Sequence, residues 1–274
     1  MKRLMNLRPS KPTALIMGLL PFIVVLLIYI VASDVRLAEN PNDKLLPSMS
    51  SFVEAVDRMA FTPSKRTGEY LFVEDTLASL ERLGLGVMIS AVLALLIAIP
   101  LGFVPFVRAG LSPFVAAISM VPPMAILPIL FIVFGMGEMA KVALIVIGVT
   151  PLIVRDLQQR VMEMPTEQLI KAQTLGGSSW TITLRVVLPQ IFPRLLDAVR
   201  LTLGTAWIFL ISAEAISATE GLGYRIFLVR RYLSMDVILP YVVWITLLAF
   251  LFDYLLKQFN YRTFKWYDAG KERS

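Results

Sequence analysis

Residues 83–107, LGLGVMISAVLALLIAIPLGFVPFV, run for 25 positions without a charged side chain. A bilayer core about 30 Å thick is crossed by about 20 helical residues rising 1.5 Å each. The stretch therefore reads as a membrane span, and the pattern recurs on both sides of it. Residues 12–33 and 109–137 are also free of charge, and shorter uncharged runs follow at 142–154, 201–213 and 237–252. The shorter runs need their flanks. The one at 201–213 extends to 195–218 if Asp197, Arg200 and Glu214 sit near its ends or face protein. The expected fold is an all-α polytopic membrane protein with about six transmembrane helices. Residues 1–11 form an N-terminal tail, 12–33 the first span, 34–82 a polar segment, and 83–274 the core. The first apolar run exceeds the roughly 7–15 residues of a signal-peptide core, so it reads as an uncleaved anchor.

Composition agrees. The chain has 274 residues, of which 57% are apolar and only 17% charged, against about 25% charged in an average soluble domain. It holds no cysteine and no histidine. That rules out a disulfide scaffold, Cys/His zinc sites, Ser-His-Asp triads and Cys-His nucleophiles. With the N-terminus in the cytoplasm and the spans alternating, the inner segments carry 16 Lys/Arg and 7 Asp/Glu, and the outer ones 10 and 13. This is the positive-inside asymmetry, and it puts both termini in the cytoplasm. The net charge of +6 is then a membrane-face property and gives no reason to expect a nucleic acid partner. No cofactor or metal is expected either.

The polar segment 34–82 has turn-like Asn40-Pro41-Asn42-Asp43 and Thr62-Pro63-Ser64-Lys65. Between them Phe52, Val53, Val56, Met59 and Ala60 recur at helical spacing. The run 109–137 contains Pro113, Pro122, Pro123 and Pro128. Each proline frees a carbonyl that protein or water must satisfy. Pro122 and Pro128 therefore read either as lining a translocation path or as kinks in a packing helix. Glu214, at the end of the fifth run, has two readings as well: a structural partner of Arg225 or Arg230, or a group in the substrate path.

Residues 165–189 are too polar to span and lie on the positive side. Pro165 precedes a helix whose first turn carries Glu167, and Gly176-Gly177 stop it. Ser178 or Ser179 caps a second helix, which Pro189 and Pro193 end. Leu169, Ala172, Trp180, Leu184 and Val187 give this two-helix elbow an apolar edge that a partner protein could grip.

The run Ala172-Gln173-Thr174-Leu175-Gly176, nine further residues and then Val186-Val187-Leu188-Pro189 resembles the EAA loop of permease subunits of bacterial ABC importers, the binding-protein-dependent transport (MetI-like) family. Ile170 stands where that pattern has Glu, and Lys171 where it has Ala. Pro122, Ala125, Pro128 and Phe134-Gly135-Met136-Gly137 resemble its taurine, nitrate and sulfonate branch. So do Thr76-Leu77, Ser79-Leu80, Arg82, Ala213-Glu214 and Gly221-Leu222-Gly223. Gly221 to Arg225 with Arg230-Arg231 are similar to permeases found with urea-carboxylase-like genes, which implies a guanidine- or urea-like cargo instead.

The resemblance implies a type I ABC importer fold and a permease with no enzymatic activity of its own. Cytoplasmic ATPase subunits, a periplasmic substrate-binding protein and a second permease, in a homodimer, would be its partners. It also implies that Lys171, Ala172, Gly176, Gly177, Trp180, Leu184, Leu188 and Pro189 couple the permease to the ATPase. No Gly-x-x-x-x-Gly-Lys-Ser/Thr phosphate loop occurs in the chain. A secondary transporter or channel is the rival reading. It needs ion-coupling carboxylates inside the spans, and it gives the elbow no task.

Overall fold

The computed structural model describes residues 9–41, 43–64 and 68–267. The positive start at Lys2, Arg3 and Arg8, the turn residues Asn42 and Lys65, and residues 268–274 lie outside them. Among the described residues the chain is helical and has no strand. It divides into two compact units.

The first unit comprises the N-terminal residues up to Tyr70 with Val229–Pro240. Its long helix α1, Lys11–Glu39, is capped by the Ser10 hydroxyl, with Pro12 in its first turn. Its apolar side chains are exposed over the whole span-length window, as expected of a helix whose neighbour is lipid. Near its end Ser33 donates to the Leu46 and Pro47 carbonyls at 2.9 and 3.1 Å, and Tyr29 donates to the Pro47 carbonyl at 2.8 Å. These bonds fold the polar segment back on α1. There the expected amphipathic helix is present as α2, Met49–Val56, running on into a π-helical turn at Asp57–Phe61.

The second unit, Leu71–Leu228 and the residues from Tyr241 on, is the bundle. It contains α3 (Leu71–Phe103), α4 (Pro105–Met120), α5 (Pro123–Phe134), α6 (Glu138–Met162), α7 (Thr166–Thr174), α8 (Ser179–Ile182) and α9 (Leu188–Ser217). It also holds most of α10 (Leu222–Arg230) and α11 (Met235–Thr263). α6 packs along both α3 and α9.

Glycines set this contact. A Cβ on Gly86 would lie 2.7 Å from Ile145, and one on Gly102 would lie 2.4 Å from Val161. Both pairs are 59 positions apart, so α3 and α6 run parallel. The two glycines are 16 positions apart, which keeps the backbones close over about 24 Å of helix. Gly148 of α6 receives the Phe209 ring of α9 in the same way, at 2.2 Å from a built Cβ. Small residues that let backbones approach are the usual packing device where lipid supplies no hydrophobic drive.

The six expected spans are not recovered one for one. By length and composition α1, α3, Ser179–Ser217 and α11 can each cross a membrane. α4 and α5 pass the same test only together and are bent by 93°. Prolines in succession explain the break. A residue before proline is pushed out of the helical region, and here Val121 and Pro122 both precede one, with ψ of 124° and 114°. The fourth expected span lies within α6, which is 25 residues long with charged residues at both ends. α6 is largely enclosed by its neighbours and needs no broad lipid-facing belt, so its uncharged run is short.

Two boundaries also differ. α3 begins at Leu71, well before its uncharged run. The elbow's second helix does not end at Pro189 or Pro193 but continues through a π-helical turn at Thr183–Val187 into α9, giving one helix of 39 residues. At the other end of α3, Pro105 has no N–H to offer the Leu101 carbonyl. The Arg108 guanidinium donates there at 3.2 Å and also to the Gly102 carbonyl.

The glycine contact is testable. Gly86→Ala in the purified protein should lower the thermal midpoint, because overpacking of this kind costs about 1–3 kcal/mol. Adding Ile145→Ala should recover part of the loss. Gly110→Ala, inside α4 with nothing within 4 Å of its Cβ, should not lower the midpoint, since alanine is the better helix former.

Candidate functional site

The elbow is built from its turn outward. α7 starts after Pro165 and ends at Leu175, where the chain reverses through Gly176 at φ +80°. Gly176 N–H donates to the Gln173 carbonyl at 2.9 Å, and Gly177 N–H to the Ala172 carbonyl at 3.0 Å. This pair of bonds is the Schellman closure, which satisfies the last carbonyls of a helix and asks for glycine in the left-handed region. Gly177 is required for space: a Cβ there would sit 2.8 Å from the Ala172 carbonyl oxygen. Ser178 then caps the following helix, accepting from Thr181 N–H at 3.2 Å. The Gln190 side-chain amide donates to the Gln168 side chain at 3.2 Å, tying α7 to the start of α9.

The exposed apolar set on this turn differs from the expected edge. Leu175 is 82% exposed and Trp180 71%, and Ile170 and Leu184 are exposed beside them in sequence. Leu169 and Ala172 are half-buried, and Val187 faces the interior. Among the other expected coupling residues, Lys171 is exposed in the last turn of α7, Leu188 is half-buried, and Pro189 is exposed in the first turn of α9. Leu175 lies between the two helices of the elbow, outside the helical periodicity that picks out an edge.

At the opposite end of α9 the bundle holds a buried ionic network. Glu214 has no exposed surface. Its carboxylate accepts from Arg82 Nη1 at 2.8 Å, from the Ser79 hydroxyl at 2.8 and 3.0 Å, and from Gly223 N–H at 2.8 Å. The Ser79 oxygen in turn accepts from Leu222 N–H at 2.8 Å. Asp75, one turn earlier on α3, accepts from Gly221 N–H at 2.9 Å, Arg225 Nε at 2.7 Å and the Tyr241 hydroxyl at 3.0 Å. Arg82 reaches outward as well: Nε and Nη2 donate to the two oxygens of Glu138, which Lys141 also meets at 2.7 Å. Four carboxylates thus face three cations: Asp75, Glu138, Glu214 and, more distantly, Glu220 at 3.6 Å from Arg82 Nη2, against Arg82, Lys141 and Arg225.

The loop Gly221-Leu222-Gly223 is shaped by this network. Gly221 has φ +123°, and a Cβ on it would lie 2.6 Å from the Glu214 carboxylate. One on Gly223 would meet the Ile211 carbonyl oxygen at the same distance. Only bare backbone brings two N–H groups this close to buried acids.

Glu214 therefore pairs with Arg82, whereas Arg225, expected as its partner, pairs with Asp75. Pro122 stands at the α4–α5 break and Pro128 lies within α5. Residue-by-residue reading missed Asp75, Arg82, Glu138 and Lys141 as a group. Asp75, Ser79 and Arg82 stand at spacings of four and three, one helical face, and that was the available signal.

Comparison with known proteins identifies relatives of the chain. The family model described as "Binding-protein-dependent transport system inner membrane component" matches residues 86–265. The taurine transport system permease protein TauC of Escherichia coli (strain K12) is 32% identical over 190 residues, covering 69% of each chain. The putative aliphatic sulfonates transport permease protein SsuC of the same strain is 32% identical over 140 residues, covering 48% of this chain and 51% of that one. In fold the chain is similar to a chain of the MetNI methionine ABC transporter, with a TM-score of 0.59 and 21% identity. The match covers 72% of this chain and 97% of that one.

Breaking the network strands a buried charge, which costs about 3–5 kcal/mol. Glu214→Gln should therefore lower the thermal midpoint of the detergent-purified protein sharply. Ser79→Ala, which removes one hydroxyl between Glu214 and Leu222 N–H, should cost less, about 1–3 kcal/mol.

Proposed function

The chain belongs to the family of binding-protein-dependent transport system inner membrane components, and on that premise we propose that it is the transmembrane permease subunit of an ATP-driven ABC importer. It is a multi-pass protein of the inner membrane. Its cargo is a small solute of the taurine, sulfonate or nitrate kind, the class named for its relatives. ATP is hydrolysed on separate cytoplasmic subunits, a periplasmic binding protein delivers the solute, and two copies of the permease form the passage. Both termini lie in the cytoplasm, in keeping with the positive-inside asymmetry of the loops.

One observation carries the coupling mechanism: four exposed large apolar side chains stand on a Schellman-closed turn that continues into a single 39-residue helix. Apolar side chains on a polar cytoplasmic segment are a docking surface for a partner protein. Trp180 and Leu184 seat in the ATPase, with Ile170 and Leu175 beside them. Lys171, in the last turn of α7, is placed to meet an acidic rim. The glycine closure keeps the elbow rigid, and the unbroken helix carries its displacement to α9 and the bundle. Leu188 and Pro189 lie where the elbow passes into the span.

The α4–α5 break supplies the other requirement, a flexible wall. Non-helical backbone at membrane depth is tolerated where it lines a cavity or is covered by protein. Pro122, at the break, and Pro128 after it are assigned to the translocation path. Glu214 acts from behind the path, fixing Arg82 and the 221–223 loop. A guanidine- or urea-like cargo drew on Gly221 to Arg225. That segment is engaged with Asp75, Ser79 and Glu214, which favours the sulfonate and nitrate class.

The test is uptake of labelled taurine and nitrate by proteoliposomes holding the permease, its ATPase and its binding protein. Uptake should require ATP and all three components. Transport by the permease alone, without nucleotide, would overturn the proposal. Gly176→Val forces a β-branched residue into the left-handed region at a cost of at least about 1–2 kcal/mol. It should abolish most uptake while the isolated permease stays folded. Trp180→Ala should weaken co-purification of the ATPase with no change in the permease's own thermal midpoint.

A further inference from the structure

The outer edge of the ionic network has a feature that structural stapling does not explain. Arg82 and Lys141 are 3% and 2% exposed, yet the side chain of the carboxylate they share, Glu138, is 60% exposed. Glu214 and Asp75 are enclosed and held by backbone N–H groups. Glu138 is held by side-chain cations at the surface. It is the first residue of α6 and follows Gly135, at φ +75°, and Gly137, neither of which has anything within 4 Å of a built Cβ. The side chain can turn out to solvent without displacing a packed neighbour.

We propose that Arg82 and Lys141 form a seat for an oxyanion group, that Glu138 occupies this seat in the absence of cargo, and that the sulfonate or similar group of the cargo takes its place during transport. This rests on the anionic-cargo reading above. The guanidinium is oriented for the purpose. Its Nη1 is fixed from within by Glu214 at 2.8 Å and the Glu220 carbonyl at 2.9 Å, leaving Nε and Nη2 facing outward as a fork, with the Glu220 carboxylate 3.6 Å from Nη2 at its rim. That fork engages both oxygens of Glu138, and Lys141 Nζ adds a third donor at 2.7 Å. A two-pronged fork with an ammonium beside it matches the geometry of a sulfonate, nitrate or carboxylate.

Electrostatics favour exchange over simple opening. If Glu138 left with nothing to replace it, the buried Lys141 would lose its ion-pair partner, while Arg82 would keep Glu214 and the more distant Glu220; stranding a buried cation is costly. If an anion arrives as Glu138 leaves, the cations stay compensated throughout. A cationic solute such as guanidinium gains nothing at this point and is repelled by both side chains, so the seat also selects by charge.

The experiment titrates taurine, at constant ionic strength, against the thermal midpoint of the detergent-purified permease, since a ligand that binds the folded form raises it. In Glu138→Gln the competing carboxylate is gone. The taurine concentration giving half the effect should fall roughly tenfold or more relative to the unmutated chain, the scale of a charge-assisted bond. Adding Lys141→Met should abolish the effect, and Lys141→Arg should retain it. Equal titrations in the unmutated chain and Glu138→Gln would overturn the seat, and that comparison stands even if the Lys141 variants do not fold. Uptake by the complete transporter separates the two readings. A complex that imports guanidine or urea but neither taurine nor nitrate refutes the anionic cargo, whereas one that imports taurine while the titrations are equal refutes the seat alone.

Discussion

A buried charge with no partner is costly in any apolar interior, and the contact between Arg82 and Glu214 answers that constraint. The pair joins α3 to α9 at a fully enclosed point, with Ser79 and Gly223 N–H completing the carboxylate's bonds. From it the network extends in two directions. Inward, it holds the glycine loop after α9 against α3. Outward, through Glu138, it reaches the first turn of α6. One ion pair therefore positions three helix ends, and the glycine contacts between α3 and α6 hold the same helices along their length.

The molecule has two such points of definition, one near each end of α9. At one end helix ends are locked by charge. At the other the elbow is locked by backbone geometry, the Schellman closure at Gly176 and Gly177. Between them runs a helix with no break, although Pro189 and Pro193 lie in it. The π-helical turn at Thr183–Val187 shifts the hydrogen-bond register just ahead of the first proline and lets the helix continue. A rigid member with a defined contact at each end is what a coupling device requires.

Legibility in the sequence was uneven, for physical reasons. Spans were visible because hydrocarbon demands long apolar runs, and the elbow because proline, glycine and serine at given offsets dictate starts and stops locally. α6 was harder to read: a helix enclosed by other helices can carry charges that a lipid-facing one cannot, so its uncharged run is short. The partners of Glu214 were mistaken because the nearest arginines in sequence, Arg225 and Arg230, attract attention, while its actual partner Arg82 lies 132 positions away. Leu175 and Ile170 escaped because exposure at a turn follows from the path of the backbone and not from helical periodicity.

The sequence by itself determined the helical membrane character, the polarity bias of the loops, the reversal at Gly176-Gly177 and the family motifs, since each follows from local chain chemistry or from the solvent a segment must face. Only the tertiary structure decided which charges meet, that α3 and α6 lie parallel in glycine contact, that two adjacent prolines split one apolar stretch into a bent pair, and that Glu138 opens to the surface while Glu214 and Asp75 are enclosed. Those outcomes depend on distances between residues far apart in the chain, set by how close the backbones can approach, and no local pattern encodes them.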